Sequence, residues 1–256
     1  MSTAIPTPIH LVVPCYNEAQ RFALQHIAAY LVAQPQVHLI LVDDGSQDDT
    51  KSLLWQLHRR LPEQVQVIEF EGNRGKAEAV RVGLQAALAR DASMVGYWDA
   101  DLATPLSALA SFETLLRTRP ELELVIGARV ALLGRHIERR LRRHYLGRVF
   151  ATAASLVLHL PIYDTQCGAK LLRVNPRTSV ILAAPFHSRW IFDVELIARL
   201  LVSGTPATAI YELPLLEWRD VGESRVLASD YLRAAFEILS IWRRYPQLRQ
   251  RDRRHA

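Results

Sequence analysis

Three short runs of the sequence carry groups able to do chemistry: Pro14-Cys15-Tyr16-Asn17-Glu18, Asp43-Asp44-Gly45-Ser46 and Asp99-Ala100-Asp101. Each follows directly on an apolar stretch. A single Asp or Gly in such a place reads as turn chemistry. Three such runs at the ends of apolar strands read instead as one site, because ligands of an open parallel sheet bind beyond the carboxyl ends of its strands. Carboxylates repel a phosphorylated ligand unless a divalent cation stands between them. In an extended Asp99-Ala100-Asp101 the alternate residues point the same way. Asp99 and Asp101 are therefore candidate hard-oxygen ligands for Mg²⁺ or Mn²⁺ and, through the ion, for a diphosphate. No Gly-x-Gly-x-x-Gly follows the first strand and no Gly-Lys-Ser/Thr loop occurs, which sets aside the usual dinucleotide and P-loop sites.

The elements that must position these groups alternate in type. Apolar runs at 9–13 (ended by Pro14), 38–42, 65–70, 94–98 and 124–127 predict strands, and they are continuous rather than alternating, as in a parallel sheet covered on both faces. Between them, helices are predicted over 19–33, from Asp49 or Thr50 to 61, over 76–90, and from Pro105 onward. The predicted fold is α/β, a single doubly wound, Rossmann-like, mostly parallel sheet with helices on both faces. The second half is less regular. It reads as an arginine-rich loop or helix start over 130–145, an apolar helix over 146–159, a strand over 169–173, helices over 176–184 and 192–202, and an extended stretch over 207–217. An amphipathic helix over 229–245 carries Leu232, Phe236, Leu239, Ile241 and Trp242; it packs on the core or lies on a membrane surface. The 256 residues contain no linker composition and no repeat, so one domain is expected, with a regular part at 9–128, a smaller, less regular subregion at 129–245 and a basic tail at 246–256.

The net charge is +5, and only three of the 31 basic residues are lysines. Arg135, Arg139, Arg140, Arg142, Arg143 and Arg148 crowd one stretch, and Arg243, Arg244, Arg249, Arg251, Arg253 and Arg254 crowd the C-terminus. The planar guanidinium suits phosphate, which points to anionic lipid or nucleic acid. The basic residues are not interleaved with aromatics as single-strand binders require, so nucleic acid is excluded as a partner. Cys15 and Cys167 are far apart, without metal-ligand spacing, and fit a reducing compartment. The N-terminus lacks the pattern of a secretion signal, and no run reaches the ~20 apolar residues of a membrane span. A cytoplasmic protein is expected, in contact with a membrane at most peripherally.

Taken with their flanks, Val13-Pro14-Cys15-Tyr16-Asn17-Glu18, Val42-Asp43-Asp44-Gly45-Ser46-Gln47-Asp48, Asn73-Arg74-Gly75-Lys76 and Asp99-Ala100-Asp101 resemble the family 2 glycosyltransferases of the GT-A fold. Asp164-Thr165-Gln166-Cys167-Gly168-Ala169-Lys170-Leu171, Arg189-Trp190-Ile191-Phe192-Asp193-Val194-Glu195-Leu196 and Glu217-Trp218 resemble the dolichyl-phosphate glucosyltransferase group within that family. Leu102-Ala103-Thr104 is closer to that group than to its mannosyl branch, which typically has Gln where Ala103 stands. The resemblance spans 9–231 and implies that 9–128 is the nucleotide-sugar-binding half and 129–245 the acceptor-binding half. It implies that Pro14, Tyr16, Glu18, Asp43 and Asp44 hold base and ribose, that Lys76 lies near the nucleotide, and that Asp99, Ala100 and Asp101 hold metal and diphosphate. It further implies that Asp164 and Gln166 face the donor sugar or the acceptor phosphate, with Trp190 and Asp193 in the same pocket, and that Asp101, Asp164 and Asp193 are the catalytic set. Arg129 and Arg143 match in spacing two arginines that grip the acceptor phosphate in mannosyl relatives, although Gly147 stands where a serine follows the second; Arg148 joins them.

The implied reaction transfers glucose from UDP-glucose to a polyprenyl (dolichyl-type) phosphate with inversion, giving a β-linked product. Its chemistry is consistent with the residues. A sugar hydroxyl acceptor needs a general base, whereas a lipid phosphate, with a second pKa of ~6, is already largely dianionic and needs only cations to position it. Another donor (GDP-mannose or a different UDP-hexose), a non-lipid acceptor, and a non-catalytic nucleotide-sugar binding protein remain the alternatives. To reach a lipid acceptor without a spanning helix, the expected contact with an anionic membrane surface is the 146–159 helix and the arginines flanking it.

Overall fold

The apolar runs form a parallel core. In the computed structural model, β1 (Ile9–Cys15), β2 (Val37–Asp43), β3 (Val65–Glu69) and β4 (Met94–Trp98) pair in parallel, with Cys15 opposite Asp43 across β1 and β2. The structure describes residues 8–138, 141–220 and 228–251, and side chains throughout these except at 141–146, 228–232 and 250–251. The seven-stranded sheet runs β3-β2-β1-β4-β7-β5-β8, with β5 (Leu124–Ala128), β7 (Ala169–Arg173) and β8 (Ile210–Pro214) completing it. The strand β6 (His136–Glu138) pairs in parallel with β9 (Glu217–Arg219) as a separate two-stranded ribbon.

Strand β7 is antiparallel to both β4 and β5, with Trp98 opposite Ala169 and Ile126 opposite Lys170. Its start therefore lies at the sheet edge where β1, β2, β4 and β5 end. That reversal delivers residues 164–168 to the edge that carries Asp43, Asp44 and Asp99. Strand order alone thus gathers the sequence motifs.

Both faces of the sheet are covered. On one, α3 (Lys76–Leu88), α5 (Leu141–Leu158), α6 (Pro176–Ala183), α7 (Phe192–Val202) and α8 (Ala228–Arg244) bury Val12, Val80, Leu84, Phe192, Leu196, Ile238 and Ile241. On the other, α1 (Leu24–Ala33), α2 (Thr50–Arg60) and α4 (Leu109–Thr118) bury Leu11, Val13, Leu31, Leu54, Trp98 and Phe112. Trp98 and Phe112 meet edge to face, 5.2 Å between ring centres, and each large side chain so buried contributes roughly 1.5–3 kcal/mol.

Four elements depart from the sequence expectation. Strand β1 does not end at Pro14 but runs to Cys15, with Pro14 opposite Val42. The first helix begins at Leu24 rather than 19, because the preceding backbone is tied elsewhere: Glu18 N donates to Thr50 Oγ1 at 2.7 Å and Ala19 N to Asp48 Oδ2 at 3.1 Å. The arginine-rich stretch is helical from Leu141, five residues ahead of the expected 146, consistent with the good helix propensity of arginine. The expected extended stretch over 207–217 opens with a 3-10 turn (Ala207–Ala209) and breaks at Leu215 and Leu216 between β8 and β9.

The last helix, α8, packs on the core through Ala234, Ile238 and Ile241, whereas Phe236, Leu239 and Trp242 are 73%, 39% and 37% exposed. Its expected apolar face is thus split: Ile241 faces inward, Phe236, Leu239 and Trp242 outward, and Leu232 falls outside the described side chains. Among the described residues no helix is long and apolar enough to cross a membrane. The segment before residue 8, Arg139 and Arg140 of the arginine cluster, and 252–256 of the basic tail lie outside the description, as do the side chains of Arg142 and Arg143.

Candidate active site

Asp99 leaves the end of β4 with its backbone N–H on Gly168 O at 2.9 Å. A Cβ on Gly168 would overlap the Asp99 carboxylate, so only glycine lets the β7 approach pass this close. Asp99 Oδ1 meets Lys76 Nζ at 2.5 Å. Burial would lower the Lys76 ammonium, but the charges of Asp99, Asp193 and Asp101 outweigh it and leave it above the usual lysine value. Asp101 turns back on its own loop, its Oδ1 accepting from Ala103 N at 3.0 Å. Burial raises the Asp101 pKa and the Asp99 charge adds to that, against the Ala103 N–H and the charges of Lys76 and Arg21. Ala100 is buried at 4% exposure, so only its backbone can serve a ligand.

The two carboxylates suit a hard divalent ion. Among the described residues no three His, Cys, Asp or Glu side chains converge, and Mg²⁺-like ions are commonly held by one or two carboxylates with phosphates and water completing the shell. Glu18 stands close enough to Asp101 and Asp99 for their charges to add to the burial that raises its pKa, while the Arg21 ion pair at 2.7 Å opposes the rise. Glu18 Oε2 and Gln166 Nε2 are buried with no hydrogen-bond partner among the described residues. Orphaned polar groups of this kind are costly unless a ligand or water meets them.

A cleft of about 740 Å³ opens beside this edge. Pro14, Tyr16, Glu18, Asp44, Lys76 and Trp190 line it, as the sequence leads one to expect. Asp43, Asp99, Ala100, Asp101 and Gln166 do not: Asp43 is buried and its Oδ1 accepts from Ser46 N at 3.1 Å, which shapes the loop after β2, and Asp99 meets the cleft wall through Lys76. Asp44 accepts from Arg74 N at 2.6 Å and from Gly75 N at 2.9 Å. Burial raises its pKa, with the two N–H groups and the Arg189 charge opposing. Gly75, at φ 94°, caps the N-terminus of α3, so the helix dipole is directed at this end of the cleft.

The acceptor-side residues are engaged with one another. Arg129 Nε and Nη2 reach Asp164 Oδ2 and Oδ1 at 2.6 and 2.7 Å, and Arg129 lies 5.3 Å from the Trp218 ring centre. Arg148 donates to Tyr163 O at 3.1 Å and stacks on the Tyr163 ring at 3.8 Å. Glu212 accepts from Tyr163 N at 2.8 Å and Asp164 N at 2.7 Å, holding that loop from β8. The Arg143 side chain lies outside the described residues.

Asp193, placed in the same pocket by the sequence reading, is buried beneath the cleft. Lys170 Nζ meets its Oδ1 at 2.5 Å, Tyr97 OH donates to the same oxygen, and Lys170 also donates to Cys167 O at 2.8 Å. Burial pushes the Asp193 carboxyl up and the Lys170 ammonium down. Asp164 and Asp193 are thus both committed partners rather than free bases.

Six cleft residues have no role in the sequence reading: Cys15, Asn73, Gly75, Arg189, Arg233 and Glu237. Arg189 lay within a motif but was given no role; Arg233 and Glu237 sit one helical turn apart on the polar face of α8, a spacing that could have flagged them.

The family model for glycosyl transferase family 2 matches residues 10–177. A dolichyl-phosphate beta-glucosyltransferase of Drosophila melanogaster is 31% identical, covering 93% of this chain and 75% of that protein. The polyprenol monophosphomannose synthase of Mycolicibacterium smegmatis is 28% identical, covering 93% of this chain and 88% of that protein. Among solved structures, glucosyl-3-phosphoglycerate synthase from Mycobacterium tuberculosis, in complex with Mn²⁺, UDP-glucose and phosphoglyceric acid, superposes with a TM-score of 0.69 at 20% identity, covering 93% of this chain and 80% of that one. The strand order, the carboxylate edge and these matches agree: the chain is a GT-A glycosyltransferase and belongs to glycosyl transferase family 2.

Proposed function

We propose that the protein transfers glucose from UDP-glucose to a polyprenyl phosphate, with inversion, using Mg²⁺ or Mn²⁺ held by Asp99 and Asp101. The observation that carries this reading is the Asp99 carboxylate on Lys76, a residue of the cleft wall, with Asp101 beside it and the two other expected catalytic carboxylates engaged rather than free to act as a base. Asp164 is locked by Arg129, and Asp193 by Lys170 and Tyr97. A hydroxyl acceptor would need such a base; a phosphate dianion attacks without one. The relatives named for dolichyl phosphate and polyprenol support the lipid acceptor, and the Mn²⁺ and UDP-glucose bound by the structural neighbour support the donor side.

In this reading Tyr16 and Trp190 line the nucleotide, and Lys76 moves from Asp99 toward the diphosphate. Gln166 Nε2 meets a sugar hydroxyl or phosphate oxygen. A bound metal would neutralise charge developing on the departing diphosphate. Asp164 aims Arg129, and Arg129 and Arg148 mark the phosphate side. The outward side chains Val149 and Leu156 of α5 and Phe236 and Leu239 of α8 are exposed apolar groups, and with the neighbouring arginines they suit an anionic membrane surface. The test is transfer of labelled glucose from UDP-glucose to a short-chain polyprenyl phosphate with Mn²⁺. Product that is lost with EDTA and in Asp101→Ala supports the reading; turnover surviving Asp101→Ala counts against the metal assignment.

A further inference from the structure

Part of the cleft wall is the loop at 187–191, which lines it through Arg189 and Trp190, and that loop is fastened by two glutamates. Glu237 Oε2, from α8, accepts from Trp190 N at 3.3 Å, Ile191 N at 3.2 Å and the Ser188 hydroxyl. Glu195 Oε2, from α7, accepts from His187 N at 2.8 Å and Ser188 N at 2.9 Å. Glu195 is itself held by Arg199 at 2.8 Å and Tyr245 at 2.9 Å. The backbone on both sides of Arg189 is thereby fixed, although the Arg189 side chain is exposed and lines the cleft. A loop pre-ordered in this way spends little entropy when its side chain meets a ligand.

Arg189 stands over the N-terminus of α3. A Cβ on Gly75 would come within 3.3 Å of its Nε and Nη2. It is near enough to Asp44 for its charge to favour the ionised carboxylate. Lys76 is engaged by Asp99 at 2.5 Å and Arg74 stacks 4.7 Å from the centre of the Phe70 ring, while Arg233 lines the cleft from α8. Asp44 follows β2 and Asp99 follows β4, with β1 between them. Two strand spacings, roughly 10 Å, therefore separate the diphosphate end of the cleft from the end where Arg189 and Asp44 face each other.

We propose that Arg189 joins Asp44, to which the family resemblance already gives a place at base and ribose, in reading the donor nucleobase, Arg189 donating to a ring carbonyl beside the ring N–H that Asp44 accepts, and that Glu237 is the residue that positions Arg189. An arginine only donates and a carboxylate only accepts, and a carboxylate has about four acceptor sites, of which the Arg74 and Gly75 N–H groups leave capacity. Such a pair matches a lactam edge, as in uracil or guanine. It mismatches cytosine, whose ring nitrogen accepts and whose amino group donates, and adenine likewise. A site built for one hydrogen-bonding edge rejects the reversed edge because its own polar groups are left unpaired. This inference rests on the reading of the cleft as a nucleotide-sugar site.

The test is calorimetric titration of the full chain, with Mn²⁺ present, by UDP, GDP, CDP and ADP, in the wild type and in Arg189→Ala, Glu237→Ala and Glu237→Gln. The wild type is expected to prefer UDP over CDP by roughly tenfold or more. Arg189→Ala should bring the two within about twofold by weakening UDP while CDP binding stays, the CDP arm also showing that the variant is folded. Glu237→Ala should reduce the preference in the same sense, and Glu237→Gln, which keeps a carbonyl acceptor for the loop, should restore it. An unchanged UDP preference in Arg189→Ala overturns the proposal. Equal weakening of all four nucleotides in Arg189→Ala overturns it as well and assigns the guanidinium to the phosphates. A wild type that binds none of the four overturns the donor-site reading itself, and this inference with it.

Discussion

Arg129 and Asp164 form a two-pronged ion pair, 2.6 and 2.7 Å across its two N–H···O contacts, with the guanidinium beside Trp218. Arg129 is 14% exposed and Asp164 6%, so each screens the other's charge where water cannot. Removing one partner leaves a buried charge alone, at a cost of about 3–5 kcal/mol. Asp164→Ala is therefore expected to lower the urea midpoint strongly. Arg129→Lys should cost less, because it keeps the charge and loses only the fork. A midpoint unmoved in Asp164→Ala would show that the pair is dispensable to the fold.

Gly168 offers a cleaner probe of the metal edge. A methyl group there displaces the Asp99 carboxylate while leaving both candidate ligands in the chain. Gly168→Ala is expected to cut turnover on the order of 100-fold, the scale of a misplacement near 1 Å, and higher Mn²⁺ should recover part of it. Kinetics across a metal titration reads both effects. Wild-type turnover in the variant would mean that Asp99 does not need its present position.

The sheet and its carboxyl edge were legible because continuous apolar strands and acidic strand ends are local signals, and β4 and β7 fall where 94–98 and 169–173 predict them. The partnerships were not legible. That Asp164 faces Arg129, and Asp193 faces Lys170, follows from the reversal of β7 and from packing of α7, contacts spanning 35 and 23 residues. Periodicity likewise could not tell which stripe of α8 turns inward, since Phe236 and Ile238 are equally apolar and only one is buried. The family resemblance gave Arg129 an acceptor phosphate; its carboxylate partner became visible only in three dimensions.

The Lys170–Asp193 pair should behave as a unit. Lys170 is fully buried, so Lys170→Met strands Asp193 and is expected to cost about 3–5 kcal/mol. Lys170→Met combined with Asp193→Leu should cost less than the sum, because no charge is left behind. A double-mutant cycle on thermal unfolding measures this, and strict additivity would argue against the pairing.

Acid should loosen the first strand. His10 on β1 is buried and stacks on His38 at 4.8 Å between ring centres. Burial, with the charges of His38 and Arg90, pushes its pKa from 6.5 down to about 4. The neutral ring is thus the form the fold accepts. The sign follows: this contribution is fully present above pH 6.5 and is lost as pH falls toward about 4, with an upper bound of about 3 kcal/mol for a shift of that size. His10→Phe should flatten the acid limb of stability between pH 7 and 4.5 in urea titrations. An acid limb as steep as that of the wild type would locate the titrating group elsewhere.

The outward stripe of α8 gives the last prediction. Arg233 and Glu237 turn its polar face to the cleft, Ala234, Ile238 and Ile241 seat it on the core, and Phe236 is left 73% exposed with Leu239 and Trp242 beside it. An apolar stripe facing water beside a terminal pair of arginines, Arg243 and Arg244, is the pattern of a helix that rests on an anionic bilayer. Phe236→Ser with Leu239→Ser should leave stability within about 0.5 kcal/mol per site, as exposed substitutions usually do. The same pair should lower flotation with phosphatidylglycerol vesicles and lower turnover on vesicle-bound polyprenyl phosphate, while turnover on a water-soluble short-chain acceptor stays at the wild-type level. Wild-type protein that remains wholly unbound by the vesicles, or a variant that floats equally well, would remove this helix from any membrane role.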